Sequence, residues 1–202
     1  MIKCYSLSTK EMSSGYAMLS YEGEREELRE KVSVTGEMPY EFTLKRVSFS
    51  KGDCLLTDDL EKVKHIWTDC QMGDFLLFSQ KLKDIISNHL TGNERFKWVS
   101  CKVHYREEVR IYYIPVFTEK IDVWNMENTV FSEWTDSENF SIIKPVFSQR
   151  KIESLGFFCG DYSSICSYWK MPGLVYIKED TKKEIVKAKL LGVELSQAPV
   201  CD

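Results

Sequence analysis

Apolar and polar positions fall into the same order twice along this chain. In Gly73–Glu94 (GDFLLFSQKLKDIISNHLTGNE) a short apolar run, Phe75–Phe78, follows a glycine. Leu82, Ile85, Ile86 and Leu90 then recur at helical spacing. In Gly173–Glu194 (GLVYIKEDTKKEIVKAKLLGVE) the run is Leu174–Ile177 and the stripe is Ile185, Val186 and Leu190. Laid over each other without a gap, one hundred residues apart, Gly73 falls on Gly173, Leu77 on Ile177 and Lys83 on Lys183. Ile85 falls on Ile185, Ile86 on Val186, Leu90 on Leu190, Gly92 on Gly192 and Glu94 on Glu194. Each copy predicts a strand, a helix and a second strand. Ser79 is placed to cap the first helix, and Thr181-x-x-Glu184 has capping-box form in the second. Gly92 and Gly192 stand where a helix takes a left-handed C-terminal residue. Two copies with no shorter period point to a duplicated supersecondary unit, not a solenoid.

The clearest hairpin follows the first copy. Val99, Cys101, Val103 and Tyr105 alternate with Ser100, Lys102, His104 and Arg106; Glu107-Glu108 interrupts, and Val109, Ile111 and Tyr113 resume. Its turn lacks Gly or Asn and so has no preferred type. Ile2–Ser8 reads as an edge or first strand, and Gly15–Tyr21 as another. Phe42–Phe49 slips after Leu44, which predicts a strand with a bulge. Lys120–Trp124 is a short strand candidate. Ser141–Phe147 contains Pro145 and reads as an edge strand or two extended pieces. Asp58-Asp59 opens a helix, DDLEKVKHIW, and Glu22–Glu30 is a solvated segment or a short exposed helix. With strands in the majority and helices scattered, the class is α+β. We expect one domain over residues 1–202, with strand–helix–strand units at about 73–99 and 173–200 packed with a central antiparallel hairpin.

Composition changes this picture mainly by exclusion. A formal net charge of −4 argues against a general nucleic-acid binder, and no apolar run is long enough to span a membrane. The N-terminal MIKCYSLSTKEM lacks the apolar core of a secretory signal, so a cytoplasmic protein is expected. The seven cysteines include no C-x-x-C pair, and His65, His89 and His104 form no ligand spacing. Mostly buried free thiols are expected, with no metal and no cofactor. Phosphate loops, G-x-S-x-G and H-E-x-x-H are missing, so no catalytic residue is assigned. The enzymatic alternative is a hydrolase with Cys159 or Cys166 as nucleophile and His104 as base; Gly156-x-x-x-Gly160 reads as a tight turn.

The most unusual segment is Glu119–Glu138, EKIDVWNMENTVFSEWTDSE, with six acids against the single base Lys120. Trp124, Phe131 and Trp134 are interleaved with them. Such a stretch suits docking of a basic protein, with acids steering the encounter and aromatics as anchors. The residues expected to touch a partner are Asp122, Trp124, Glu127, Glu133, Trp134, Asp136 and Glu138. The plainer reading keeps the acids solvated and turns the aromatics into the core.

Three motifs in order carry a resemblance. An aspartate precedes a strand and then S-x-K-L-x-x-I/L, here Asp74–Ile85 (DFLLFSQKLKDI). A hairpin strand leads into V/I-D-x-x-x-x-E-x-S/T, here Ile121–Thr129 (IDVWNMENT), and a strand–helix–L-x-G-V-E-L/F unit closes the chain at Leu174–Leu195. This order resembles the immunity protein 11 family of bacterial polymorphic toxin systems. The similarity spans Trp67–Pro199, about two thirds of the chain, and residues 1–66 match less well. It departs at Lys182, where the first copy has Leu82, and at Glu179, where the first copy has Ser79. The resemblance implies a cytosolic bacterial protein that binds and neutralises a cognate toxin by occlusion, with no catalytic residues to carry over. The acidic segment would suit a cationic toxin of nuclease type. A non-catalytic scaffold subunit is the third reading.

Overall fold

The structure is a computed structural model and describes residues 2–10, 17–20, 38, 41–50, 53–57, 67–72, 75–131, 142–160 and 174–202. Gly73, Gly173, the acidic stretch 22–30 and the expected helix from Asp58, apart from Trp67, lie outside these residues. In chain order the strands begin with β1 (Cys4–Thr9), β2 (Ala17–Ser20), β3 (Phe42–Ser50), β4 (Asp53–Thr57), β5 (Cys70–Met72) and β6 (Leu76–Phe78). Helix α1 (Gln80–Ser87) precedes β7 (Phe96–Tyr105), β8 (Glu108–Phe117), β9 (Val130–Phe131), β10 (Ile142–Lys144) and β11 (Phe147–Ser148). A single turn, α2 (Gln149–Ile152), leads to β12 (Phe157–Phe158) and β13 (Val175–Lys178). Helix α3 (Glu179–Lys187), β14 (Val193–Ala198) and β15 (Val200–Cys201) complete the chain. The class is α+β. No helix among the described residues is long and apolar enough to cross a membrane.

One sheet has seven strands, in the order β2-β3-β7-β8-β6-β5, with β4 also paired to β3. Arg46 of β3 pairs with both β2 and β4, and Thr43 with both β2 and β7, so β4 and β7 share one side of β3. No register break accompanies this handover, and the bulge expected in β3 is not found there. A four-stranded sheet runs β12-β13-β1-β14. The N-terminal strand is therefore central, not an edge, bonded to β13 over four pairs and to β14 over six. Sequence alternation alone cannot tell an edge from a centre, because it reports faces and not neighbours.

The pairings around the two helices repeat. Strands β6 and β7, before and after α1, both run antiparallel to β8, which lies between them. Strands β13 and β14, before and after α3, both run antiparallel to β1. Outside β6 lies antiparallel β5, and outside β13 lies antiparallel β12. Phe78 pairs with Tyr113 of β8, and Ile177 with Tyr5 of β1. The structural offset here is thus 99 residues (78 to 177), not one hundred. The N-caps agree, Ser79 and Lys178, as do the buried helix positions, Leu82 with Thr181 and Ile86 with Ile185. After the helices the offset returns to one hundred, at the C-caps Asn88 and Ala188, because α3 is one residue longer.

That extra residue corrects several expectations, among them that Glu179 takes the place of Ser79, since the N-cap Lys178 holds that place. Val186, aligned with buried Ile86 in the gapless reading, is 60% exposed. Thr181 is not a cap but a buried residue inside α3, whose N-cap Lys178 makes no side-chain cap bond. Lys182 does not replace a core leucine; it corresponds to Lys83. Each of these lysines lies over the tyrosine of its central strand, Lys83 on Tyr113 and Lys182 on Tyr5, both 4.2 Å from the ring centroid. Ser79 does cap α1, its hydroxyl accepting from the Leu82 N–H at 3.2 Å. Gly92 and Gly192 have positive φ, but they sit in the loops beyond the helices; Lys189, at φ 52, takes the left-handed position directly after α3.

The hairpin forms over ten residues on each side, closed by Arg106 and Glu107. Arg106 has φ 55, the left-handed conformation that Gly or Asn adopts more easily. Because Tyr105 pairs with Glu108, the face that carries Val99, Cys101, Val103 and Tyr105 continues as Tyr112, Ile114 and Val116. Val109 and Ile111 resume the alternation on the opposite face, where they are 49% and 47% exposed. Pro145 divides residues 142–148 into two pieces, β10 and β11, as one of the two expectations had it. Lys120–Trp124 forms no strand; only Trp124 makes an isolated bridge, to Phe147.

One apolar cluster joins the two larger sheets. It contains Tyr5, Leu7, Leu76, Phe78, Phe117, Phe157, Val175 and Ile177 with the helix residues Leu82, Ile86 and Ile185. Each such side chain contributes about 1.5–3 kcal/mol on full burial. Two carboxylates tie loops that are distant in sequence. Glu94, after α1, accepts from Gly156 N–H at 2.6 Å and from Thr91 and Gly92 N–H at 3.1 and 3.0 Å. Asp69, before β5, accepts from Leu191 N–H at 2.8 Å and from the Ser79 hydroxyl at 2.7 Å. At Gly156 a Cβ would stand 2.1 Å from the His89 carbonyl oxygen, so only glycine allows this approach.

A candidate partner-binding surface

The acidic segment begins as a pinned turn. Asp122 accepts from the Trp124 N–H at 3.2 Å and from Lys151 Nζ at 2.6 Å, and Lys151 also donates to the Trp124 carbonyl at 2.9 Å. Asn125 then holds the turn by accepting from Glu127 N–H and Asn128 N–H, each at 3.1 Å. The Thr129 hydroxyl donates to the Val146 carbonyl, and Val146 N–H donates back to it. These bonds fix the backbone that presents the intervening side chains.

Trp124 faces inward. It is 2% exposed and stacks on Phe147 with centroids 4.7 Å apart and planes at 16°. It cannot be the exposed anchor named among the partner-touching residues; the plainer expectation, an aromatic turned into the core, holds for it. Asp122 is half exposed and already paired with Lys151. Glu127 is exposed. Glu133, Trp134, Asp136 and Glu138 lie outside the described residues. Among the described residues of this segment Met126, at 49%, and Val130, at 45%, are exposed apolar groups, and Ile143 at 67% lies on β10, which pairs with β9. Sequence reasoning passed over these three because it looked for aromatic anchors. The one available signal was that Met126 and Val130 stand among acids.

Of the groups in the enzymatic alternative, His104 lies on the seven-stranded sheet and Cys159 just beyond β12 of the four-stranded one. His104 is on β7, its Nε2 2.6 Å from a Glu41 carboxylate oxygen, while Lys102 Nζ lies 2.6 Å from the other. The hydrogen bonds from Lys102 and His104 hold the Glu41 carboxyl below the usual carboxylate range. Cys101, on the same strand, is buried on the other face. Cys159 follows β12 and packs on the cluster that joins the sheets, and Cys166 lies outside the described residues. Burial pushes the Cys4 thiol up to about 12, against a smaller opposing effect of Lys178, and pushes Cys70 and Cys101 up as well. Such thiols hold their protons at neutral pH and are poor nucleophiles. Among the described residues no group of three or more His, Cys, Asp or Glu side chains is arranged to hold a metal ion. No protein-family model matches this chain, and no curated protein sequence matches it.

Proposed function

We propose that this protein works by contact, as an immunity protein that binds a cognate bacterial toxin in the cytoplasm and occludes it. The observation that carries this reading is the pinned turn at residues 122–130, which offers Met126 and Val130 to solvent beside exposed Glu127. Around it the stretch 119–138 holds six acids and one base. Aliphatic groups that lose water at the centre, with carboxylates at the rim, suit a cationic protein surface such as that of a nuclease. We also read the chain as one domain built from two copies of a strand–helix–strand unit packed with the β7–β8 hairpin. Its support is the matched pairings about α1 and α3 and the shared lysine–tyrosine contacts.

The test is co-expression with the toxin domain encoded beside its gene. Cells carrying both proteins are expected to grow, and the two are expected to co-purify. Death of those cells despite full expression of the intact chain would sink the reading. With the complex in hand, Glu127→Lys is expected to slow association and flatten its salt dependence, without changing the fold.

A further inference from the structure

The two central strands are held by different means. β8 follows β7 through a two-residue turn, with Tyr105 paired to Glu108, so it cannot leave its place without carrying β7 along. β1 is joined by a turn to neither of its neighbours, β13 and β14; the strand that follows it, β2, belongs to the seven-stranded sheet. What holds β1 in its slot is non-covalent: its ladders with β13 and β14, the buried side chains Cys4, Tyr5 and Leu7, and the Tyr5 hydroxyl donating to Glu179. The slot between β13 and β14 reads this strand by register and side chain, and every one of those contacts is satisfied equally by the same strand from another molecule.

We propose that β1 is an exchangeable strand, and that the slot between β13 and β14 also takes the β1 of a second copy of this chain, giving a strand-swapped dimer. Exchange replaces each contact by its equal, so the swapped form costs little beyond association itself. The occupant is a second copy because the slot's contacts are written for Cys4, Tyr5 and Leu7 in that order. This is independent of any toxin, and it concerns a part of the molecule remote in sequence from residues 119–138.

Cys4 lies across from Ala198 in the β1–β14 ladder, which makes the exchange readable. The Ala198→Cys variant, as an equal mixture of ordinary and 15N-labelled chains, is unfolded, refolded at high concentration and oxidised. The dimer fraction is expected to contain peptides disulfide-linked between Cys4 of one chain and the introduced thiol of a differently labelled chain. They should be lost when the two preparations are refolded apart and mixed afterwards. A dimer fraction whose linked peptides are all of single label, or no dimer at all, overturns the proposal. Should Ala198→Cys fail to fold, the unaltered chain refolded in the same way must give a dimer that survives dilution, since undoing the exchange requires unfolding; monomer alone again overturns it.

Discussion

Helix α1 on the seven-stranded sheet and helix α3 on the four-stranded sheet meet the same demands by different means. Both lie over a central strand flanked by two strands parallel to each other, and both rest a lysine on that strand's tyrosine. At its N-terminus each helix has N–H groups without helical partners. α1 satisfies one with the Ser79 hydroxyl and has no acid in its first turn; α3 has no side-chain cap but carries Glu179 and Asp180 there. Gln80, at the position of Glu179, bonds along its own helix to Asp84 at 2.6 Å, whereas Glu179 accepts from Tyr5 of the central strand. That bond fastens α3 to a strand remote from it in sequence. β8 needs no such fastening, because its turn already holds it.

The sharpest way to break this correspondence is through the buried faces. Ile86→Ala is expected to cost about 2–5 kcal/mol in urea unfolding, by lost burial and a residual cavity. Val186→Ala is expected to stay within about 0.5 kcal/mol, as an exposed substitution does. Equal losses would restore the gapless alignment and remove the extra residue from α3. The loop glycines should differ next. Gly92→Ala meets no atom within 4 Å but keeps φ +89, so it should cost about 1–2 kcal/mol of backbone strain. Gly192→Ala should cost more, because it has φ +69 and its Cβ would also stand 2.5 Å from Thr68 Cβ.

Glu94 gives a pH-dependent test. Burial alone would raise its carboxyl, but the N–H groups of Gly156 and Thr91 and the Thr91 hydroxyl outweigh that and hold it below its usual range. A lowered folded pKa stabilises above the unfolded value, about 4.3, and the gain is lost as pH falls through the folded pKa. Glu94→Gln should therefore cost about 1–2 kcal/mol at neutral pH, allowing for the solvent that reaches the group. The gap should close at low pH in paired denaturation curves; a gap constant with pH would refute the assigned bonds. Smallest is the cap: Ser79→Ala is expected to lose about 1 kcal/mol, read as faster amide exchange in the first turn of α1.

Much of the architecture was legible along the chain. The period of Leu82 and Ile86 gave α1, the alternation of Val99 to Tyr105 gave β7, and the glycine-flanked runs gave β6 and β13. The errors share one cause. A repeat aligned by residue type put Val186 on Ile86, because valine resembles isoleucine, although a longer helix turns that position to solvent. Trp124 looked like an anchor because aromatics among acids can serve as one, but its ring found Phe147, distant in sequence. Met126 and Val130 stand among acids, a weak signal of exposure, and Ile143 carries no pattern that marks it as exposed.

By itself the sequence determined that α1 and α3 are helices and that β6, β7 and β13 are strands, since those depend on neighbours along the chain and on backbone sterics. Only the tertiary structure decided that β1 completes the sheet beneath α3, that α3 is turned by one residue relative to its counterpart, and that Trp124 is buried while Met126 and Val130 meet water. Those outcomes depend on strands and rings far apart in the chain competing for the same buried space, and periodicity carries no record of that competition.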